Sequence, residues 1–228
     1  MNDQDYRPFA SSHEMVFSTF MQRVYQWMAI GLTLTAFVAF MTVRNAGLMR
    51  FLFGGGMFFL VLVELGLVFW LSASLGRISP QAAVLGFLSY ATLNGITMAA
   101  ILFMYTAASV ASTFFITAAT FAGVSVYGWV TKQDLTSVGH FCGMALWGLI
   151  LASVVNLFFN APVFYWLLSY AGVAIFVGLT AYDTQYLKRI HQGMADAPEQ
   201  LAVYGALKLY LDFINMFIFL LRIFGRRR

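Results

Sequence analysis

Long unbroken runs of apolar side chains decide what this chain can become. Seven of them fill it: Gln26–Val43, Phe51–Leu75, Ala82–Met104, Ala108–Val130, His140–Phe159, Val163–Leu187 and Val203–Phe224. About 20 such residues in a helix cross the hydrocarbon core of a bilayer. Barrel strands would alternate apolar and polar residues over about ten positions; these runs do not alternate and are longer. In lipid the backbone must bond within its own segment, and a continuous apolar run does that as a helix. Only 10% of the residues are charged and 61% are hydrophobic, against roughly a quarter charged in soluble domains. The predicted fold is an all-α integral membrane protein, a seven-transmembrane-helix bundle over residues 26–224. A polar N-terminal arm, 1–25, precedes it, and a basic C-terminal tail, 225–228, follows.

The breaks between runs are short. Arg44, Asn45 and Gly47 end the first; Gly76, Arg77, Ser79 and Pro80 end the second; Lys132, Gln133 and Asp134 follow the fourth; Asn160, Ala161 and Pro162 follow the fifth. Lys188–Gln200 is the longest polar connection, and Tyr105–Ala107 must divide a run too long for one crossing. The arm lacks the apolar core of a secretory signal, so the first span is expected to act as an uncleaved insertion signal. Counting Lys and Arg on the two sides gives six against six, which leaves orientation open. Seven full crossings are preferred over a seventh segment that enters and returns. Small residues crowd the third and fourth spans, among them Ala99, Ala100, Ala111, Ser112, Ala119 and Gly123. They read as tight helix packing or as a pore lining.

Carboxylates within the spans carry the strongest chemical signal. Glu64, Asp183 and Asp212 lie inside apolar runs, where a charge costs about 2.5–3.5 kcal/mol on insertion scales. Asp183 and Asp212 sit on antiparallel neighbours joined by one loop. With the spans drawn as above, Asp212 is about 13 Å from its helix start and Asp183 about 6–10 Å from its helix end. Similar depth would let the two share a proton, because two close carboxylates do not both ionise cheaply. The same oxygens would offer a transient site for calcium, with no fixed metal. The alternative is that each binds a neighbour: Lys208 and Asn215 share a helix face with Asp212, and Thr180 lies near Asp183. Glu64 lines the same cavity or stays protonated against a backbone carbonyl. Arg77 reaches the inner carboxylates or snorkels to headgroups, and Lys188, Arg189 and Arg222 read as interfacial anchors.

Several functions are excluded by type. There is no Ser/His/Asp constellation, no histidine pair at metal spacing, and Gly54–Gly56 lack the ending of a phosphate loop. His13, His140 and His191 are scattered, and no basic face suits nucleic acid. The single Cys142 forbids an intrachain disulfide and is expected to pack as a small apolar residue. No cofactor is expected, and the chain is read as a non-enzyme.

The segments AYDTQ around Asp183, LYLDFINMFIFLLRIFG around Asp212 and ASVASTFFITAATFAGVSVYGWVTKQDL across the fourth span resemble the Bax inhibitor-1 family, the transmembrane Bax-inhibitor-motif proteins. The compact loops resemble its bacterial branch. The resemblance implies a seven-helix fold with the last helix central, a multi-pass location in a bacterial inner membrane, and pH-sensitive calcium leak. It implies that Asp183 and Asp212 form the proton-sensing, gating pair. It also implies an arginine at the end of the second helix contacting that pair; Arg77 is the candidate, although its spacing from Glu64 departs from the family pattern. The expected function is a cation leak channel, with calcium permeant and the lipid bilayer as its medium. The alternative is a membrane interaction protein that modulates a membrane-bound AAA protease or a stress or cell-death pathway. A proton-coupled transporter is a third, weaker expectation.

Overall fold

The computed structural model describes residues 8–74, 77–159, 161–192 and 199–228. Seven helices follow in order among the described residues: α1 Pro8–Arg44, α2 Ala46–Ala73, α3 Pro80–Phe103, α4 Ala107–Val130, α5 Thr136–Phe159, α6 Pro162–Gln192 and α7 Glu199–Phe224. No strand occurs among the described residues; Tyr105 and Arg227 form one isolated antiparallel bridge. The segments expected to break helices are also the caps that start the next ones. Asn45 accepts from the amides of Gly47 and Leu48, Ser79 from Ala82 ahead of a proline in the first turn, and Thr106 from Ser109. Asp134 accepts from both the amide and the hydroxyl of Thr136. Each cap satisfies donors that a helix start leaves unpaired.

The helices run longer than the apolar count predicts. α1 begins at Pro8 rather than Gln26, so the expected arm is largely helical; residues 1–7 lie outside the described residues. From Thr19 on, the reason is visible: Phe20, Met21 and Val24 are buried. α6 continues to Gln192 and α7 starts at Glu199, because polar side chains there bond within the protein. α2 is not one regular helix. Its π-helical turn, Leu52–Gly56, contains Gly55 at φ 104°, a left-handed conformation open to glycine at little cost.

Among the described residues, six helices are long and apolar enough to cross a membrane: α1 from Thr19, α2, α3, α4, α5 and α6. α7 is outside that group. It carries Glu199, Lys208, Asp212 and Arg222, yet its side chains are buried from Leu201 to Leu221 on most faces. It packs against α1, α3, α4 and α6. At one end Glu199 accepts from Trp27 (2.7 Å) and pairs with Arg23 (3.3 Å). At the other, Arg226 accepts from the Thr106 amide in the α3–α4 turn. α7 is therefore continuous from one rim of the bundle to the opposite rim. α2, by contrast, exposes Phe53, Phe58, Phe59 and Phe69, as a helix facing lipid would.

Small residues act differently on the two helices where they crowd. Ala99 and Ala100 of α3 are buried, whereas Ala111, Ser112, Ala119 and Gly123 of α4 are exposed. The close contact of α4 is made elsewhere: a Cβ on Gly128 would run into the Ala181 carbonyl of α6. Cys142 is buried, its sulfur facing Gly178. Gly128→Ala is expected to force α4 from α6 and to destabilise by about 1–3 kcal/mol. Gly123→Ala, with nothing within 4 Å of the new Cβ, is expected to be neutral in the same thermal unfolding assay in detergent.

Candidate functional site

The register of α6 against α7 sets the site. Asp183 lies nine residues before the end of α6, and Lys208 nine residues after the start of α7. At 1.5 Å per residue both are about 13–14 Å from the shared connection. Asp212 lies one turn deeper. The Lys208 ammonium accordingly meets Asp183, with Nζ 2.7 Å from Oδ1. Its Nζ also lies 4.8 Å from the Tyr186 ring centre and 5.8 Å from that of Tyr182, within cation–π range. Asp183 and Asp212 are both buried, and Asp212 Oδ2 has no hydrogen-bond partner. The two aspartates do not bond each other directly. The group bonded to Asp183 is the Lys208 ammonium. Thr180 and Asn215 are engaged with their own helices, donating to Phe176 O and Leu211 O.

Glu64 belongs to a different cluster. It accepts from the hydroxyl of Thr97 (2.8 Å) and the amide of Asn94 (3.5 Å) on α3. Asn94 Oδ1 accepts from the Tyr210 hydroxyl of α7 at 3.0 Å, and that hydroxyl lies 2.6 Å from Thr35 Oγ1 of α1. Thr35 also donates to Ala91 O. Two hydroxyl protons thus serve three contacts. The edges of Phe87 and Tyr90 pack on Tyr210. Tyr210 stands between Lys208 and Asp212 in sequence, about 200° around the helix from each. α7 therefore carries one polar cluster on each of two opposed faces. Arg77 is exposed and takes no part in the three ion pairs among the described residues.

The polar end of α6 stitches down the α4–α5 turn. Gln185 accepts from Leu135 N and donates to Gln133 O; Lys188 donates to Trp129 O; Arg189 bonds Asp134 at 2.6 Å. Lys188 and Arg189, expected as headgroup anchors, thus have partners within the protein. The Asp134 carboxyl is held well below the usual carboxylate range by the Thr136 hydroxyl and the Arg189 guanidinium. A depressed carboxylate stabilises above its unfolded pKa and loses that contribution only as pH falls through the folded value. This staple therefore does not titrate between about pH 5 and 8. His140 is exposed, and the side chains of His13 and His191 lie outside the described residues. No group of three or more His, Cys, Asp or Glu that could hold a metal is present among the described residues.

Sequence reading set Lys208 beside Asp212 on one helix; its bond to Asp183 across helices went unseen. Tyr210 was missed. A tyrosine in an apolar run usually reads as packing, and only its proximity to Asn94 in space marks it. Lys208→Gln is expected to strand the Asp183 carboxylate and cost about 3–5 kcal/mol. Adding Asp183→Asn should recover most of that loss. A double-mutant cycle in thermal unfolding would measure the coupling.

Relatives place the chain. The family described as "Inhibitor of apoptosis-promoting Bax1" matches residues 17–228. The "Inner membrane protein YbhL" of Escherichia coli (strain K12) is 45% identical over 216 residues, covering 92% of each chain. An uncharacterized protein of Deinococcus radiodurans is 44% identical over 211 residues, 92% of this chain and 91% of its own length. One from Borreliella burgdorferi is 42% identical over 219 residues, 94% of each. Together with the six spanning helices, these relatives identify a multi-pass protein of the bacterial inner membrane, and the chain belongs to the Bax inhibitor family.

Proposed function

We propose that this protein is a pH-sensitive cation leak channel with calcium as the permeant ion, gated by protonation of the Asp183–Lys208–Asp212 cluster. The observation that carries this reading is the charge imbalance at the α6–α7 interface. Two buried carboxylates lie near one ammonium, which is bonded to Asp183, and Asp212 Oδ2 has no partner. A proton arriving there changes the charge that Lys208 must balance, and so the packing of α6 on α7. In this reading α7 is the central helix of the bundle, since a shift at Lys208 would move a helix that touches α1, α3, α4 and α6.

A cleft of about 580 Å³ opens between α1 and α4 and is floored by Phe213, the residue after Asp212. Tyr25, Ser125 and Trp129 give it a few polar atoms in an otherwise apolar wall. Such a wall does not conduct an ion, so conduction requires a second packing in which α7 turns polar groups toward the opening. The staple at Asp134 does not supply the pH response, because it stays ionised across the neutral range.

The pure protein in dye-loaded liposomes is expected to pass calcium at a rate that changes severalfold across neutral pH. Asp212→Asn should remove the pH dependence, and Arg189→Gln should leave it in place. Flux equal to that of empty liposomes, with inserted protein verified, would refute the channel. It would favour a protein that works by contact with a membrane-bound partner such as an AAA protease.

A further inference from the structure

The rim of the bundle opposite Glu199 has an unusual charge. It is formed by residue 45, the 104–106 turn, Ala161 and the tail after Phe224. Arg44, Arg50, Arg222, Arg226, Arg227 and Arg228 stand at this rim, and no Asp or Glu among the described residues falls in it. At the other rim Asp134 and Glu199 are both paired with arginines. The arginines here have no carboxylate side chain among the described residues to meet.

Two of them are fixed in place. The tail lies along the α3–α4 turn: Thr106 N donates to Arg226 O at 2.9 Å and Arg228 N to Met104 O at 3.0 Å. This pairing aims Arg227 at α6, where its Nη2 donates to the Tyr165 hydroxyl at 3.1 Å. Arg222, from the last turn of α7, approaches the same ring, and both guanidinium carbons lie 5.6 Å from its centre. Like charges held around one ring repel unless an anion joins them. Beside them is a pocket of about 460 Å³ lined also by Tyr105, Asn156 and Trp166. Asn156 Oδ1 is occupied by the amide of Ala161, so what this pocket-lining side chain has left to offer is its N–H donors. The volume is that of a small-molecule site, and the polar groups are donors suited to a multi-oxygen anion.

The surroundings select the form of that anion. Val163, Trp166 and Leu167 in the first turns of α6 are exposed, and Tyr170 stacks on Trp166. Tryptophan and tyrosine at a helix end mark the headgroup level, and the exposed aliphatic residues beside them face acyl chains. We propose that the Arg222–Arg227 pocket binds the phosphate headgroup of an anionic phospholipid, with the acyl chains lying along the start of α6. The tail then clamps a lipid between α6 and α7 instead of merely resting on the membrane surface.

The full-length protein, freed of lipid in detergent, would be titrated with cardiolipin, phosphatidylglycerol or phosphatidylcholine and bound lipid counted by native mass spectrometry. The anionic lipids are expected to remain bound at concentrations where phosphatidylcholine does not. The Arg222→Gln/Arg227→Gln pair should weaken that binding about tenfold, while Arg44→Gln/Arg50→Gln at the same rim should not. Arg222→Lys/Arg227→Lys keeps the charge and loses the planar fork; it guards against a folding defect and should show an intermediate loss. Equal losses in both glutamine pairs would mean diffuse attraction and overturn the site. Equal retention of phosphatidylcholine would overturn the charge selection. Displacement of the lipid by millimolar inorganic phosphate would reassign the pocket to a free anion.

Discussion

Hydrocarbon offers no hydrogen bonds, so a polar group carried into it is costly unless it is answered from within the chain, and Asp212 Oδ2 is an exception. That constraint explains where the ionisable residues stand. Glu64 is met by Thr97 and Asn94, Asp183 by Lys208, and the polar side of α6 by the α4–α5 turn. It also explains why the most charged helix is the most buried. α7 can carry Lys208 and Asp212 because α1, α3, α4 and α6 surround it with protein instead of lipid. α2 has no such cover along most of its surface and is correspondingly apolar, apart from Arg50 near its start and Glu64 on its buried face.

Much of this architecture was legible in the residues. Apolar runs place seven spans, and the polar breaks mark their ends because Asn45, Ser79, Thr106 and Asp134 are helix caps as well as loop formers. Helix length was harder to read. α6 and α7 extend beyond their apolar cores by five and four residues, and each added residue changes depth by about 1.5 Å. At the shared connection the two extensions nearly cancel, so Asp183 stands level with Lys208 and one turn from Asp212 on either set of ends; the bond between Asp183 and Lys208 is what the side-chain pattern alone does not single out. The tail was invisible for a different reason. Its attachment at Met104 and Thr106 uses backbone groups, which every residue has and no side-chain pattern reports.

The two clusters on α7 share a rigid helix but little else. The one facing α6 is ionic and reaches partial solvent exposure at Lys208. The one facing α1 and α3 is a chain of neutral donors ending at the Glu64 carboxyl, fully within the bundle. A rotation of α7 that loosened one would strain the other, since Tyr210 and Lys208 point in opposed directions. The helix is thus held from two sides, by charge on one and by directed hydroxyl and amide contacts on the other.

The shortage of protons around Tyr210 and Thr35 gives that second face a direction. With two hydrogens among three contacts, one oxygen pair is always short of a donor, and the vacancy can sit at either end of the chain. Moving it requires only that two O–H bonds swivel; no helix has to travel. Which of the three contacts lacks a proton is therefore set by two rotors alone, silent in the heavy-atom positions and visible in the vibrational spectrum of a single tyrosine.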